Sequence, residues 1–543
     1  MEDRPTEINI VSLNCWGLKY ISKLRSERLT EIGRRLATAD PLPHIVALQE
    51  CWTQEDYRSI RRQTRFILPY GKFYFSGVFG GGLVILSKWP IEESTMYRYP
   101  LNGRPTAFFR GDWFVGKGVA CAKIRYGPGP KDVVEVFNTH THAPYEREPH
   151  DSYVCHRTAQ AWEMAKLLRG AAERGHLVIG LGDFNMLPLS LAHRIISTGA
   201  PVRDVWRVLH PDSALGPAHS AAEKARRRPV PTAEFNLREN GATSDNVYNT
   251  WRWSKAQQQQ LGPGKAPITV PPDTIDPRGK RLDYIFAGSG DVATLGGSWV
   301  VKRAVVGMLE PHPVWGCSVS DHFSVEATLA FHAKVGTRHV RLSGERGDNH
   351  EGMGLESVRG GRQRVSKLEV GEDGASDQSD ELGSAALQSG AYLESPRTSQ
   401  FGDSSELGDN PVDDQSTPDW GTLPLSSYDE ILGMIHKYMA RELKQRRWRG
   451  IHFFGSVGVT VISLVGVWFV PRSFVAFLLL LVSSLSLAAG TVDGLIALLF
   501  VNWELRALKE FEWEVLNAKA AAGGGRGPAL DEESLGERKN GWS

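Results

Sequence analysis
Along the first 333 residues, short apolar runs alternate with stretches whose apolar residues recur every three or four positions. The runs at 8–13, 45–48, 83–86, 133–137 and 177–181 have strand length and are rich in β-branched residues, which predicts buried strands. Between them, residues 27–36 space Leu29, Ile32 and Leu36 at helical intervals. Residues 153–168 do the same with Ala161, Met164, Ala165 and Leu168. Such alternation predicts an α/β fold. Residues 211–280 break the pattern: they are polar, punctuated by Pro and Gly, and carry a glutamine run at 257–260. A stretch of that kind inside a domain predicts either a functional loop or a disordered insertion.

Beyond residue 331 the pattern changes. Residues 371–420 hold 12 acidic residues, one basic residue, nine serines and three aromatics. They cannot bury enough apolar surface to offset their ordering entropy, so a disordered acidic linker is expected. From about Ser426 a helical pattern resumes and turns basic, with Lys437, Arg441, Lys444, Arg446, Arg447 and Arg449. Two apolar runs follow, 452–470 and 473–490, separated by Pro471 and Arg472. Each approaches the roughly 20 residues that cross a ~30 Å hydrocarbon layer, which predicts a transmembrane hairpin. Basic residues crowd the amino-terminal side of the first run, so that side is expected to be cytosolic. Asp493 would mark the end of the second run. The Trp- and Phe-bearing segment after it would lie along the membrane interface.

The expected units are therefore a catalytic domain over 1–333, a linker over 334–425, a basic juxtamembrane helix over 426–450, a hairpin over 451–501, and an interfacial helix and tail over 502–543. A chain of 543 residues is long enough for this division. Net charge is only +1 overall, but residues 1–333 carry +8 and the remainder −7. Basic charge suits nucleic acid, an anionic membrane or a phosphorylated substrate alike. Five cysteines, an odd number without CxxC spacing, together with a start that lacks an apolar h-region, point to a cytosolic catalytic unit with reduced thiols.

Six short motifs place chemistry-bearing residues at or near the ends of these runs: Asn14, Glu50, His140, Asp183 with Asn185, Asp283, and Asp321 with His322. Five of the six sit at or near the carboxyl end of an apolar run. The last pair precedes its strand, which reaches the same sheet edge if that strand runs antiparallel. Singly, each has an ordinary reading: an Asp or Asn that ends a strand is most often a turn former. Together they suit metal-assisted cleavage of a phosphate ester. Glu50 is the type of lone acidic ligand that holds Mg²⁺ alongside water and substrate oxygen. His322 suits general-base work near neutral pH, with Asp283 fixing its tautomer. Asn185 and His140 supply donors to the phosphoryl oxygens. His142 falls one step into the loop and reads as a bystander.

This set, in this order, resembles the Mg²⁺-dependent deoxyribonuclease I-like phosphodiesterases. Within them it is most similar to neutral sphingomyelinases and fungal inositol phosphosphingolipid phospholipases C. The narrowing segments are 14–29, 76–91, 111–119 and 151–166, together with the carboxyl-terminal hairpin. The resemblance implies a four-layer α/β sandwich and a phospholipase C that releases ceramide from an inositol phosphosphingolipid or from sphingomyelin. It further implies Glu50 as principal Mg²⁺ ligand with Asn14 and Asp321 close by, His322 as base, and His140 and Asn185 on phosphate. Asp112 and Lys117 match a regulatory pair of the family. Anionic phospholipids are the expected activators, through Lys444, Arg446, Arg447 and Arg449. The enzyme would be an integral membrane protein with its catalytic domain in the cytosol, on the endoplasmic reticulum or mitochondrial outer membrane. Other superfamily activities (a nuclease or an inositol polyphosphate phosphatase) and an inactive membrane scaffold are the alternatives. Two membrane spans disfavour nucleic acid as a partner.

Overall fold
The structure is a computed structural model that describes residues 3–107, 110–146, 151–333, 393 and 421–524. Apart from Leu393 and residues 421–425, the expected linker lies outside the described residues, as does the tail beyond 524. In chain order the strands are β1 (Glu7–Asn14), β2 (Ile45–Gln49), β3 (Tyr70–Tyr74), β4 (Leu83–Ser87), β5 (Ile91–Arg98) and β6 (Gly118–Arg125). Then come β7 (Val133–His140), β8 (Leu177–Asp183), β9 (Arg203–Asp204), β10 (Asp283–Gly288), β11 (Gly297–Gly307) and β12 (Ser324–Ala333). They form two six-stranded sheets, ordered β11-β12-β1-β2-β4-β3 and β5-β6-β7-β8-β10-β9. The β1/β2 and β7/β8 pairs are parallel and the other ladders antiparallel.

The sheets pack face to face. Ile8, Ile10, Ala47 and Ile85 of one meet Val134, Val136, Ile179 and Ile285 of the other. Helices α1 (Arg25–Ala37) and α2 (Gln54–Thr64) cover the outer face of the first sheet, burying Leu29, Ile32 and Ile60 against Val11, Leu13 and Leu48. Helices α3 (Val154–Glu173) and α4 (Leu191–Gly199) cover the second, through Met164, Leu168, Ile195 and Ile196. Strand β2 is thus apolar on both faces, Ile45 and Ala47 toward the other sheet and Val46 and Leu48 toward the helices, which is why its sequence reads as a continuous run rather than an alternation. The result is the expected four-layer α/β sandwich.

Residues 211–280 are folded. Two short helices, Ala221–Arg226 and Ala233–Arg238, each begin on a side-chain cap. Asn236 Nδ2 donates to the Asp276 carbonyl at 2.8 Å, and Asn249 Nδ2 to the Ser320 carbonyl at 3.0 Å. Polar side chains satisfy the backbone here, so a segment without a hydrophobic period still has a defined course.

At the carboxyl end, α5 (Leu425–Gly466), α6 (Ser473–Leu495) and α7 (Val501–Ala522) follow one another, with a π-turn at Ile496–Phe500 before the last. The described residues hold two helical stretches long and apolar enough to cross a membrane. Ser456 meets Gly490 closely, a small-residue contact that brings the two backbones together. Asp493 pairs with both Arg449 and His452, closing the hairpin at its base.

The segment expected along the membrane interface buries one face against protein and leaves Trp503 and Trp513 exposed. Helix α7 packs on protein: Leu505, Leu508 and Val515 are buried with Ile431 and Ile435 of α5 and with the outer helices of the second sheet. Glu514 accepts from Trp162 Nε1 at 2.7 Å and Lys166 Nζ at 2.8 Å. An amphipathic face fits a helix partner as well as a membrane interface, and its sequence does not separate the two.

Glu442, fully buried on α5, is pushed up to about 8 by burial and by Glu504. Its unfolded value is ~4.3. The folded chain therefore keeps a proton that the unfolded chain releases, and stability falls as pH rises from about 4.5 to about 8. Glu442→Gln is expected to raise the melting temperature of detergent-solubilised protein at pH 8 and to leave it nearly unchanged at pH 5. An equal shift at both pH values would count against this burial effect.

Candidate active site
Strand direction gathers the six motifs. Parallel β1 and β2 place Asn14 beside Gln49 and hence next to Glu50, and parallel β7 and β8 place His140 beside Asp183. Antiparallel β10 sets Asp283 directly opposite Asp183, so Asp283 begins its strand instead of ending one. Strand β12 runs antiparallel to β1, which brings Asp321 and His322, just before it, to the same edge. The antiparallel expectation for that strand holds.

The side chains converge. Asn14 Nδ2 donates to Glu50 Oε1 at 3.1 Å and to Asp183 Oδ2 at 3.0 Å. His140 Nε2 lies 3.6 Å from Asp183 Oδ2 and 4.0 Å from Glu50 Oε1. His322 Nδ1 meets Asp283 Oδ2 at 2.8 Å, and Thr243 Oγ1 donates to that same oxygen at 2.6 Å. The Asn185 backbone N–H donates to Asp183 Oδ1 at 3.0 Å, and its Nδ2 donates to the Thr141 carbonyl at 3.3 Å. Glu50, Asn185 and Trp16 all have left-handed backbones, with φ of 54°, 46° and 47°. Strain of this kind costs of order 1–3 kcal/mol each and collects at functional sites.

Two supports escaped the sequence reading. Thr243 lies in the polar 211–280 stretch, where nothing marks it. Arg28, on α1, is wholly buried: its guanidinium donates to the carbonyls of Cys15 (3.1 Å), Trp16 (2.8 Å) and Val319 (2.8 Å) and stacks under the Trp16 ring. It ties the loop after Asn14 to the loop before Asp321. Its amphipathic helix registered only as an α element.

The site is short of positive charge. Burial, then Asp321, raises the Glu50 carboxyl, and burial pushes Asp183 up to about 7 against the pull of His322. Burial alone would lower His322, but Asp283, Asp183 and Asp321 outweigh it and raise its pKa well above the ordinary value. Burial, then Lys117, drives His140 well below it. Glu50 Oε2 and Asp283 Oδ1 are buried without a hydrogen-bond partner. Ligand atoms of Asp183, Asp283 and His322 lie within 4.8 Å of one another. Hard oxygen donors in excess of their counter-ions fit a divalent cation. Glu50 would hold it, with Asn14 and Asp321 close by and Asp183 brought alongside through Asn14.

Asp112 and Lys117 do not make an ordinary surface pair. Both are buried. Lys117 Nζ donates to the carbonyls of His140 (3.4 Å) and Thr141 (3.1 Å). Asp112 Oδ1 instead faces His142 Nδ1 at 3.7 Å. His142 is fully buried beside Asp112. Among the basic residues of α5, Arg449 is held by Asp493, while Lys444 and Arg447 flank Trp448 and Ile451.

The model of the Endonuclease/Exonuclease/phosphatase family matches residues 11–322. Inositol phosphosphingolipids phospholipase C of Schizosaccharomyces pombe is 33% identical over 518 residues, 95% of either chain. The Saccharomyces cerevisiae protein of the same name is 30% identical over 94% of this chain and 90% of its own. Human sphingomyelin phosphodiesterase 2 is 30% identical over 59% of this chain and 64% of its own.

Cation binding can be read directly. Glu50→Ala and Asp183→Asn are each expected to weaken Mn²⁺ binding, followed by electron paramagnetic resonance of the free ion, by about tenfold or more, on the scale of losing one of few direct ligands. Circular dichroism should remain that of the parent. Unchanged affinity in both variants would place the cation elsewhere.

Proposed function
The chain belongs to the endonuclease/exonuclease/phosphatase family, and from that premise we propose that it is a membrane-anchored, Mg²⁺-dependent phospholipase C that hydrolyses inositol phosphosphingolipids to ceramide and a phosphorylated inositol. As an enzyme it is a phosphodiester hydrolase, like relatives named phospholipase C and phosphodiesterase. Coverage supports the substrate class. The two relatives named for inositol phosphosphingolipids align with 95% and 94% of this chain, far enough to take in the apolar hairpin. The sphingomyelin phosphodiesterase aligns with 59%.

The chain's own groups divide the work. The cation supplies Lewis-acid polarisation of the phosphoryl oxygen when bound. With the carboxylates that raise its pKa offset by the cation, His322, held in one tautomer by Asp283, would be free to take a proton from the attacking water through Nε2. Thr243 steadies Asp283 from behind. Asn185 and His140 face the non-bridging oxygens as charge builds on them. The new bond joins water oxygen to phosphorus. The bond that breaks joins phosphorus to the ceramide oxygen, which leaves and takes up a proton.

Lys117 and Asp112 act as a regulatory pair beside this site, with Lys117 anchored to the carbonyl of His140 itself. Anionic phospholipids serve as activators through Lys444, Arg446 and Arg447, with Arg449 committed to Asp493. The basic side of the hairpin, and the catalytic unit with it, lies in the cytosol.

Detergent-solubilised protein with Mg²⁺ is expected to release ceramide from inositol phosphoceramide faster than from sphingomyelin, and to leave phosphatidylcholine and DNA intact. Glu50→Ala and His322→Ala should each lose about a thousandfold or more in kcat/KM, some 4 kcal/mol of transition-state stabilisation. Thr243→Val should lose about tenfold. Hydrolysis of DNA in place of lipid would favour the nuclease alternative, and no turnover at all would favour the scaffold.

A further inference from the structure
Two loops at the catalytic edge end in bare apolar side chains, and a third lies against one of them. Tyr20 and Ile21, on the loop that follows Asn14, are 90% and 69% exposed. Val78 and Phe79, on the loop between β3 and β4, are 76% and 62% exposed. Both loops are fastened to Glu50 and its neighbour: the Gly17 N–H donates to the Glu50 carbonyl at 3.0 Å, and the Cys51 N–H to the Gly82 carbonyl at 3.0 Å. The third loop, 111–116, takes the Val78 N–H on the Phe114 carbonyl at 2.7 Å, and Phe114 lies 6.1 Å from Phe79.

That third loop reaches the hairpin. Trp113 lies 4.4 Å, centroid to centroid, from Phe500, the last residue of the π-turn that follows the second apolar helix. Trp503, three residues on, is 70% exposed and borders a cavity of about 780 Å³ together with Val78, Trp113 and Phe114. The tip formed by Val78 and Phe79 is therefore continuous with the base of the hairpin. Where that hairpin enters a bilayer, it stands at the level of the bilayer surface. Adjacent large apolar side chains left in water are unfavourable, and a patch of them marks a docking surface.

We propose that Val78 and Phe79, supported by Tyr20 and Ile21, insert into the bilayer that holds the hairpin and so set the active edge against the membrane in which the chain is anchored. This rests on the reading of α5 and α6 as a membrane hairpin. It goes beyond that reading in naming a second, loop-borne contact. The partner is the acyl and headgroup boundary of the lipid, because the Val78–Phe79 tip carries apolar groups and no charge, while Lys19 beside Tyr20 suits the headgroup level. Access to substrate is then confined to lipids of the same bilayer.

The test uses the full chain in phosphatidylcholine vesicles. Phe79→Cys carries an environment-sensitive fluorophore. Phe66→Cys, also highly exposed but at the opposite end of β3, is the control, and the unsubstituted chain sets the labelling background. Acyl-brominated phosphatidylcholine is expected to quench the label at 79 at least threefold more than at 66. Equal quenching at the two positions would overturn the insertion, whatever the substrate proves to be.

Activity supplies an independent arm. The double variant Val78→Ser, Phe79→Ser should lose about tenfold on inositol phosphoceramide in vesicles while keeping within twofold on a short-chain soluble analogue. Equal losses on both would mean that the loop serves the site and not the membrane. If the parent hydrolyses neither substrate, the proposed function fails, and the quenching comparison still decides insertion.

Discussion
Buried side-chain amides join the two sheets of this protein. Asn14 hangs from the first sheet, yet its Nδ2 donates to Glu50 on its own sheet and to Asp183 on the other. The apolar filling between the sheets is non-directional and by itself tolerates sliding. Directional contacts do not. Gln49 Nε2 reaches across to Asn138 Oδ1 at 2.8 Å, and Asn138 Nδ2 returns to the carbonyls of Leu48 and Val84, both at 3.0 Å. Each of these groups is buried, so any other alignment of the sheets leaves them unsatisfied at about 1–3 kcal/mol apiece. The polar seam therefore fixes the alignment, and the alignment fixes the distance between the carboxylates.

That geometry is costly without a counter-ion. Four acidic groups stand at one edge, and two of them are driven toward protonation by burial. Left-handed backbones at Glu50 and Asn185 add strain in the same place. A fold built for stability alone has no use for this arrangement, whereas a site that must bind a cation and a phosphate does. Sites of function are where structures depart from local optima.

Much of this was legible in the sequence, because the strands are buried on both faces and their polar ends stand out against the apolar runs. Asn14, Glu50, His140 and Asp183 announced themselves that way. Thr243 did not, since a threonine among prolines and glycines carries no pattern and its role exists only once residues 211–280 fold against Asp283. Asp112 and Lys117 were visible as a pair, but not that His142 would take Asp112. Helix α7 was visible as amphipathic, and the face it buries was assigned to the membrane when it belongs to the protein. Pattern specifies which side of an element is apolar. It does not specify what covers it.

The docking of α7 changes how the hairpin relates to the site. Had the catalytic domain been joined to the membrane only by the acidic linker, its orientation would be free. Instead, Glu504 on α7 accepts from Tyr438 of α5 at 2.7 Å and bonds His156 of α3 at 2.9 Å. The His156 ring stacks edge-on against His142 at 5.4 Å, and His142 faces Asp112. Helix α5 itself runs unbroken for 42 residues, about 63 Å at 1.5 Å per residue, from this buried cluster into the apolar run. A helix of that length without an internal proline transmits position rather than absorbing it. The hairpin is thus joined to the catalytic edge by packed side chains, and linker length ceases to set the reach of the site. A displacement of α5 is carried through Tyr438, Glu504 and His156 to the neighbours of Asp112.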